Sequence, residues 1–166
     1  LNSVLPVIDS WVIVDTGSTD GTQEIISNCL EKIPGKLYER PWVDFSSNRN
    51  EALSLAKSSS DYFLFIDADD ELLGDKTALK KPLEKDYYAV HYQKGICQTK
   101  RVLLASSSQS WRWEGIIHEA LDLRVKQGGF LPDLYLRAGD GGCRSRDSKT
   151  LFQDIALLEV CLEKAP

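Results

Sequence analysis

The sequence predicts an α/β chain built on a mostly parallel sheet flanked by helices. Two observations carry this reading. Trp11-Val12-Ile13-Val14 and Tyr62-Phe63-Leu64-Phe65-Ile66 are continuous apolar runs without polar alternation, the pattern of strands buried on both faces. Strand ends recur near residues 15, 40 and 66 with a helical pattern in each interval, a cycle of about 25 residues that suits right-handed βαβ units.

The elements follow in order. Leu1 to Ile8 is short and apolar and reads as the tail of a helix. The strand Trp11 to Val14 ends in Asp15. The polar turn Thr16-Gly17-Ser18-Thr19-Asp20-Gly21-Thr22 is rich in helix-capping residues. Ile25, Ile26, Cys29, Leu30 and Ile33 follow a 3.6-residue period, which predicts an amphipathic helix stopped by Pro34-Gly35. Leu37 to Arg40 reads as the second strand. Asn48 and Glu51 have capping-box spacing, and Ala52, Leu53 and Ala56 carry an apolar stripe through a helix from Ser47 to Ser58. The third strand, Tyr62 to Ile66, runs into Asp67-Ala68-Asp69-Asp70-Glu71. Beyond it, Tyr87 to Tyr92 alternates as a strand with one more polar face, and Arg101 to Ala105 is a further strand. Gly128-Gly129 and Gly139 to Gly142 mark turns. Leu151, Ile155, Leu158 and Leu162 place an amphipathic helix at the end.

Composition bounds what the chain does. With 166 residues, 42% hydrophobic and 27% charged, it has the profile of one globular domain with one core. A net charge of −5 without a basic block argues against a general nucleic-acid binder. The longest apolar run is far too short to span a bilayer, and no signal peptide is visible. Cys29, Cys97, Cys143 and Cys161 show no C-x-x-C spacing, so they read as separate reduced thiols of a cytoplasmic protein. Methionine is absent even at position 1, which predicts a natural protein longer than this sequence.

The chemistry gathers at strand ends. In a parallel sheet Asp15 and Asp67/Asp69 emerge on the same edge, where open α/β folds hold their ligands. The helix beginning near Thr22 directs its N-terminal N–H groups toward that edge, which suits an anion such as a phosphate. Carboxylates repel phosphates, so a cation is expected between them, and hard oxygen ligands suit Mg²⁺ or Mn²⁺ bridging a diphosphate. The competing reading of Asp67 to Glu71 is helix capping in a solvated turn. Capping needs one carboxylate, whereas this stretch holds four within five residues. For Asp15 to Thr22, a strand-to-helix turn with good caps explains the residues equally well.

Three segments in order, Val14-Asp15-Thr16-Gly17-Ser18-Thr19-Asp20-Gly21-Thr22, Asn48-Arg49-Asn50-Glu51-Ala52-Leu53 and Phe65-Ile66-Asp67-Ala68-Asp69-Asp70-Glu71, resemble glycosyltransferase family 2. Trp111 to Leu121, with its Gly-Ile-Ile-His-Glu core, is similar to a later segment of bacterial members. The resemblance implies a GT-A fold, a nucleotide-binding half at 1–75, and an acceptor and catalytic half at 76–166. It implies a donor site of Asp15, Thr16, Ser18, Arg49, Asp67 and Asp69, with Asp15 on the base and Arg49 beside the nucleotide. Asp67, Asp69 and His118 match metal-binding positions for Mn²⁺ or Mg²⁺, and Asp67/Asp69 form the DxD pair. Glu119 is the first choice for the base that deprotonates the acceptor, and Asp70 the second. The implied reaction is sugar transfer, inverting, from a nucleotide-sugar (UDP-sugar favoured) to a glycan, lipid-linked or protein acceptor. The implied setting is cytoplasmic or peripheral at the inner membrane face, in cell-surface polysaccharide synthesis.

Other readings stay beside it. His118 also suits a buried structural histidine and Glu119 a surface carboxylate. Trp111 and Trp113 suit the core better than sugar stacking, and Arg144 an ordinary loop. Family members begin with a strand and loop that meet the nucleotide, and this sequence starts after that point, so a central strand is expected to be missing. Leu157 to Pro166 resembles the junction with helical repeats in related proteins. A haloacid-dehalogenase-type phosphatase also carries D-x-D after a strand, but Glu71 stands where such enzymes carry Thr or Val. The remaining alternative is a degenerate nucleotide-binding or assembly module.

Overall fold

The computed structural model describes residues 1–57, 60–115, 117–139, 155 and 158. Strand β1 (Trp11–Asp15) pairs in parallel with β2 (Gly35–Glu39), from Trp11 opposite Gly35 to Asp15 opposite Glu39. The Trp11 ring covers Gly35 so closely that a side chain there has no room. The indole N–H donates to the Ile33 carbonyl at 2.8 Å.

Helix α1 (Thr22–Leu30) connects the two strands and buries Ile26 and Leu30. Gly21 enters it at φ +84°, in the left-handed region that favours glycine. Helix α2 (Phe45–Ala56) starts earlier than the capping-box spacing suggests. Its cap is Asp44, which accepts from the Ser47 N–H at 2.7 Å and from the Ser46 hydroxyl at 2.9 Å. Asn48 lies inside the helix, buried, and ties back the preceding loop. It accepts from Val43 N–H at 3.0 Å and donates to the Pro41 carbonyl at 3.1 Å.

The larger sheet comprises β3 (Tyr62–Leu64), β4 (Glu71–Gly74), β5 (Tyr87–Lys94), β6 (Cys97–Ser106) and β9 (Gly128–Arg137), in the spatial order β3-β6-β5-β9-β4. It is mixed. β6 runs antiparallel to both β3 and β5, β4 runs antiparallel to β9, and β5 and β9 are parallel. Parallel pairing is found at β1–β2 and β5–β9, while β3 pairs antiparallel with β6 among the described residues. β5 and β6 form a hairpin over Gly95 and Ile96. Four strands escape the sequence patterns, the short β7 (Trp113–Glu114) and β8 (Ala120–Leu121) and the longer β4 and β9. β4 lies directly after the acidic turn, and β9 opens on the Gly128-Gly129 pair that reads as a turn. There the rings of Tyr87 and Tyr88 pack so close that only glycine fits. A small hairpin of β7 with β8 completes the strands.

The main core packs Leu72, Val90, Leu103, Leu134 and Leu136 with Val4 of the N-terminal segment, which forms a 3-10 turn at Leu5–Val7. Ala105, Trp113 and Leu121 form a second core cluster. Val12 and Ile13 of β1 and Phe63 of β3 line one open cavity of about 1830 Å³. Among the described residues β1 pairs only with β2, and β3 only with β6. Cys29 is half-buried, Cys97 exposed, and both are free thiols. Ile155 and Leu158 are helical and exposed. Leu151, Leu162, Cys143, Arg144, Cys161 and the segment from Leu157 lie outside the described residues. No helix among those residues is long and apolar enough to cross a membrane.

Candidate functional site

The polar end of the cavity carries Arg49, Asp67 and Asp70. α2 delivers Arg49, the segment after β3 delivers Asp67 to Asp70, and the β7–β8 connection delivers Glu119.

Arg49 is the hub. Its Nη2 donates to Asp67 Oδ1 at 2.6 Å, and its Nε donates to Glu119 Oε1 at 2.7 Å. The guanidinium lies 4.8 Å from the Trp113 ring centre, a favourable cation–π arrangement. Neighbouring Asn50 fixes that ring from the backbone side. It donates to the Trp113 carbonyl at 2.9 Å and accepts from the Trp113 N–H at 2.8 Å. Trp113 is therefore a core residue, and its role is to hold Arg49.

A second arginine, which the sequence patterns do not single out, closes the network. Arg101 of β6 donates through Nη2 to Asp67 Oδ2 at 2.7 Å and through Nη1 to Asp70 Oδ2 at 3.0 Å. Its guanidinium stacks 4.8 Å from the Tyr92 ring centre. Both Asp67 oxygens thus accept from guanidinium groups. Burial raises the Asp67 carboxyl, and Arg49 and Arg101 outweigh it, holding the group below the ordinary carboxylate range. Asp70 goes the other way. Its side chain is 2% exposed, and burial together with the Asp67 charge pushes it up against the pull of Arg101. Arg101 is itself raised, the two carboxylates outweighing its burial.

The acidic turn is tight. Asp70 N–H donates to the Asp67 carbonyl at 3.1 Å, and Gly139 packs so close to the Asp69 carbonyl that a side chain has no room. Glu71 pairs with Arg137 across β4 and β9. Asp69 is exposed and enters no ion pair among the described residues.

The loop after β1 is wired differently. Asp15 is buried and accepts from Gly17 N–H at 3.3 Å, Ser18 N–H at 3.0 Å, the Ser18 hydroxyl, and Gln23 Nε2 at 2.8 Å. Burial raises this carboxyl, and the bonds from Ser18, Gln23 and Gly17 outweigh it and hold it low. Gly17 makes the turn at φ +109°. Thr16 is exposed, and Ser18 serves Asp15. His118 is exposed and sits at φ +57°, a conformation histidine tolerates better than most residues.

Metal chemistry is tested by the donor set. Among the described residues no three His, Cys, Asp or Glu side chains converge as a closed metal cage requires. Mg²⁺ and Mn²⁺ sites that handle phosphates need only one or two carboxylates, with phosphate oxygens and water completing the shell. Asp69, exposed and in no ion pair among the described residues, fits that pattern. Asp67 is committed to arginine, which also leaves it poorly suited to act as a phosphatase nucleophile.

The family model for Glycosyl transferase family 2 matches residues 3–133. The chain belongs to glycosyltransferase family 2. It is 36% identical over 72 residues to an uncharacterized glycosyltransferase of Rickettsia felis and 38% identical over 72 residues to one of Rickettsia conorii. Each match covers 43% of this chain and 23% of the relative. A TPR repeat-containing protein of Synechococcus elongatus is 36% identical over 87 residues, covering 51% of this chain and 20% of that protein. This family 2 domain therefore spans less than a quarter of the length of these curated relatives. Within it the match takes in all the predicted site residues, from Asp15 to Glu119.

Proposed function

We propose that this family 2 domain transfers a sugar from a nucleotide-sugar, with a UDP-sugar as the favoured donor, to a glycan, lipid-linked or protein acceptor, with inversion. The observation that carries the reading is the acidic turn itself. Arginines hold Asp67 and Asp70, which line the cavity, while Asp69 remains exposed beside them.

In this reading Asp69 holds Mn²⁺ or Mg²⁺ against the donor diphosphate, and the metal offsets charge on the leaving group. Asp15 orders the loop that receives the nucleotide, and Arg49 stands beside it. Glu119 takes the acceptor proton. Arg49 occupies its Oε1, and Oε2 accepts no hydrogen bond among the described residues. One guanidinium therefore fixes the base relative to the acid at the donor site. His118, exposed beside Glu119, is assigned to the metal by the resemblance alone. The cavity exceeds the roughly 300–1,000 Å³ of ordinary ligand pockets. Its apolar reach along β1 and β3 suits one further strand, and its polar end suits the donor. We assign the protein to the cytoplasm or the inner membrane face, in the synthesis of cell-surface polysaccharide.

The test is donor turnover. Release of UDP from UDP-sugars, measured with Mn²⁺ over an acceptor panel, should occur in the wild type and vanish in Asp69→Ala. Undiminished release in Asp69→Ala refutes the assignment of the metal to that carboxylate.

A further inference from the structure

We propose that Arg101 is a positioning residue for glycosyl transfer, one that locks the acidic turn by gripping the carboxylates on both sides of Asp69. The proposal rests on the reading of Asp69 as the donor-site ligand.

Three features of the structure support it. Nη2 reaches Asp67 and Nη1 reaches Asp70, at 2.7 and 3.0 Å. A guanidinium is planar, so its two terminal nitrogens keep a fixed separation and direction. One rigid group thus sets the distance between two carboxylates that flank the residue presented to the ligand. Secondly, Arg101 is itself fixed. It sits in β6 opposite Val90 of β5, a fully buried residue, and its guanidinium rests on the Tyr92 ring. The grip is therefore referred to the large sheet, not to the turn. Thirdly, the charges sort themselves. Of the four carboxylates from Asp67 to Glu71, Asp67 takes two arginines, Asp70 takes Arg101 and Glu71 takes Arg137. Asp69 takes none among the described residues. Without Arg101, Asp67 and Asp70 lose their common counter-charge and repel each other across the Asp69 backbone. Lysine cannot replace it, because a single ammonium is a point charge without the fork geometry.

The experiment uses Arg101→Lys, Arg101→Ala, Asp70→Asn and the Arg101→Ala/Asp70→Asn double variant. Calorimetry with UDP and Mn²⁺, well below each melting temperature, gives the Kd of folded protein. Urea unfolding gives stability. Arg101→Ala should weaken UDP–Mn²⁺ binding at least tenfold, and Arg101→Lys should melt near the wild type yet recover only a minor part of that loss. A merely structural arginine would move the melting temperature and leave the Kd alone. The urea shift of the double variant should be smaller than the sum of the two single shifts, because the Arg101–Asp70 contact is lost only once. Wild-type-like Kd values in both Arg101 variants, or additive urea shifts, overturn the proposal. A wild type that binds no UDP overturns the donor reading instead, and the unfolding cycle then decides whether Arg101 locks the turn.

Discussion

The loop after β1 and the turn after β3 both follow a strand and both centre on an aspartate, yet they are held in opposite ways. Asp15 is satisfied by Gly17, Ser18 and Gln23, all within eight residues. Asp67 is satisfied by Arg49 and Arg101, 18 and 34 residues away. The first is a self-contained loop whose conformation needs little from the rest of the molecule. The second exists only when α2, β6 and the β7–β8 connection are assembled around it. The difference separates an aspartate satisfied by its own loop from one whose surroundings report on the whole fold.

Removing Arg49 should break the second region most severely, because Asp67 and Glu119 share it. Arg49→Ala is expected to lower UDP-sugar turnover about a hundredfold, ~3 kcal/mol of transition-state stabilisation, in a steady-state assay of UDP release. Asp15→Ala attacks the first region. Losing its hydrogen bonds is expected to cost about 1–2 kcal/mol in urea unfolding, with Asp15→Asn losing less. Asp44→Ala removes the α2 cap and should cost about 1 kcal/mol of stability while leaving the turnover of folded enzyme unchanged. That split sharpens the contrast between holding a helix and holding the site.

The smallest effect is a pH dependence. Asp15 and Asp44 are both held below the ordinary carboxylate range, the hydrogen bonds from Ser18 and from Ser47 outweighing burial. Their contribution to stability is therefore complete above the unfolded-state value near 4 and drains as pH falls through the lower folded-state values. Thermal melts between pH 6 and pH 3 should show this decline. In the Asp15→Asn/Asp44→Asn double variant the acid limb should flatten.

Legibility in the sequence follows the same divide. β1, α1, β2, α2 and the strands β5 and β6 are visible because local periodicity and turn residues specify them, while the pairing of β5 with β6 is not. The resemblance singles out Arg49, Asp67 and Glu119 on separate short stretches, and the fold brings these three side chains together. β4 and β9 are not visible in the sequence, since one follows directly on an acidic turn and the other begins with two glycines chosen for close packing under Tyr87 and Tyr88. Arg101 is hidden for a related reason. In sequence it is a cation beside Lys100 at the start of a predicted strand, and the fold brings it to Asp67 and Asp70. The antiparallel pairing of β3 with β6 is likewise a tertiary choice that a short apolar run does not encode.

The most direct test of the donor site is a thermal-shift comparison of wild type and Asp69→Ala with UDP, GDP, CDP and ADP, each in Mn²⁺ or EDTA. A ligand that binds only the native state at a hundred times its Kd adds about 2.7 kcal/mol of stability. The account predicts a rise in wild-type melting temperature with one nucleotide, UDP foremost, that disappears in EDTA and in Asp69→Ala. An equal rise in Asp69→Ala, or no rise with any nucleotide in folded wild-type protein, would contradict it.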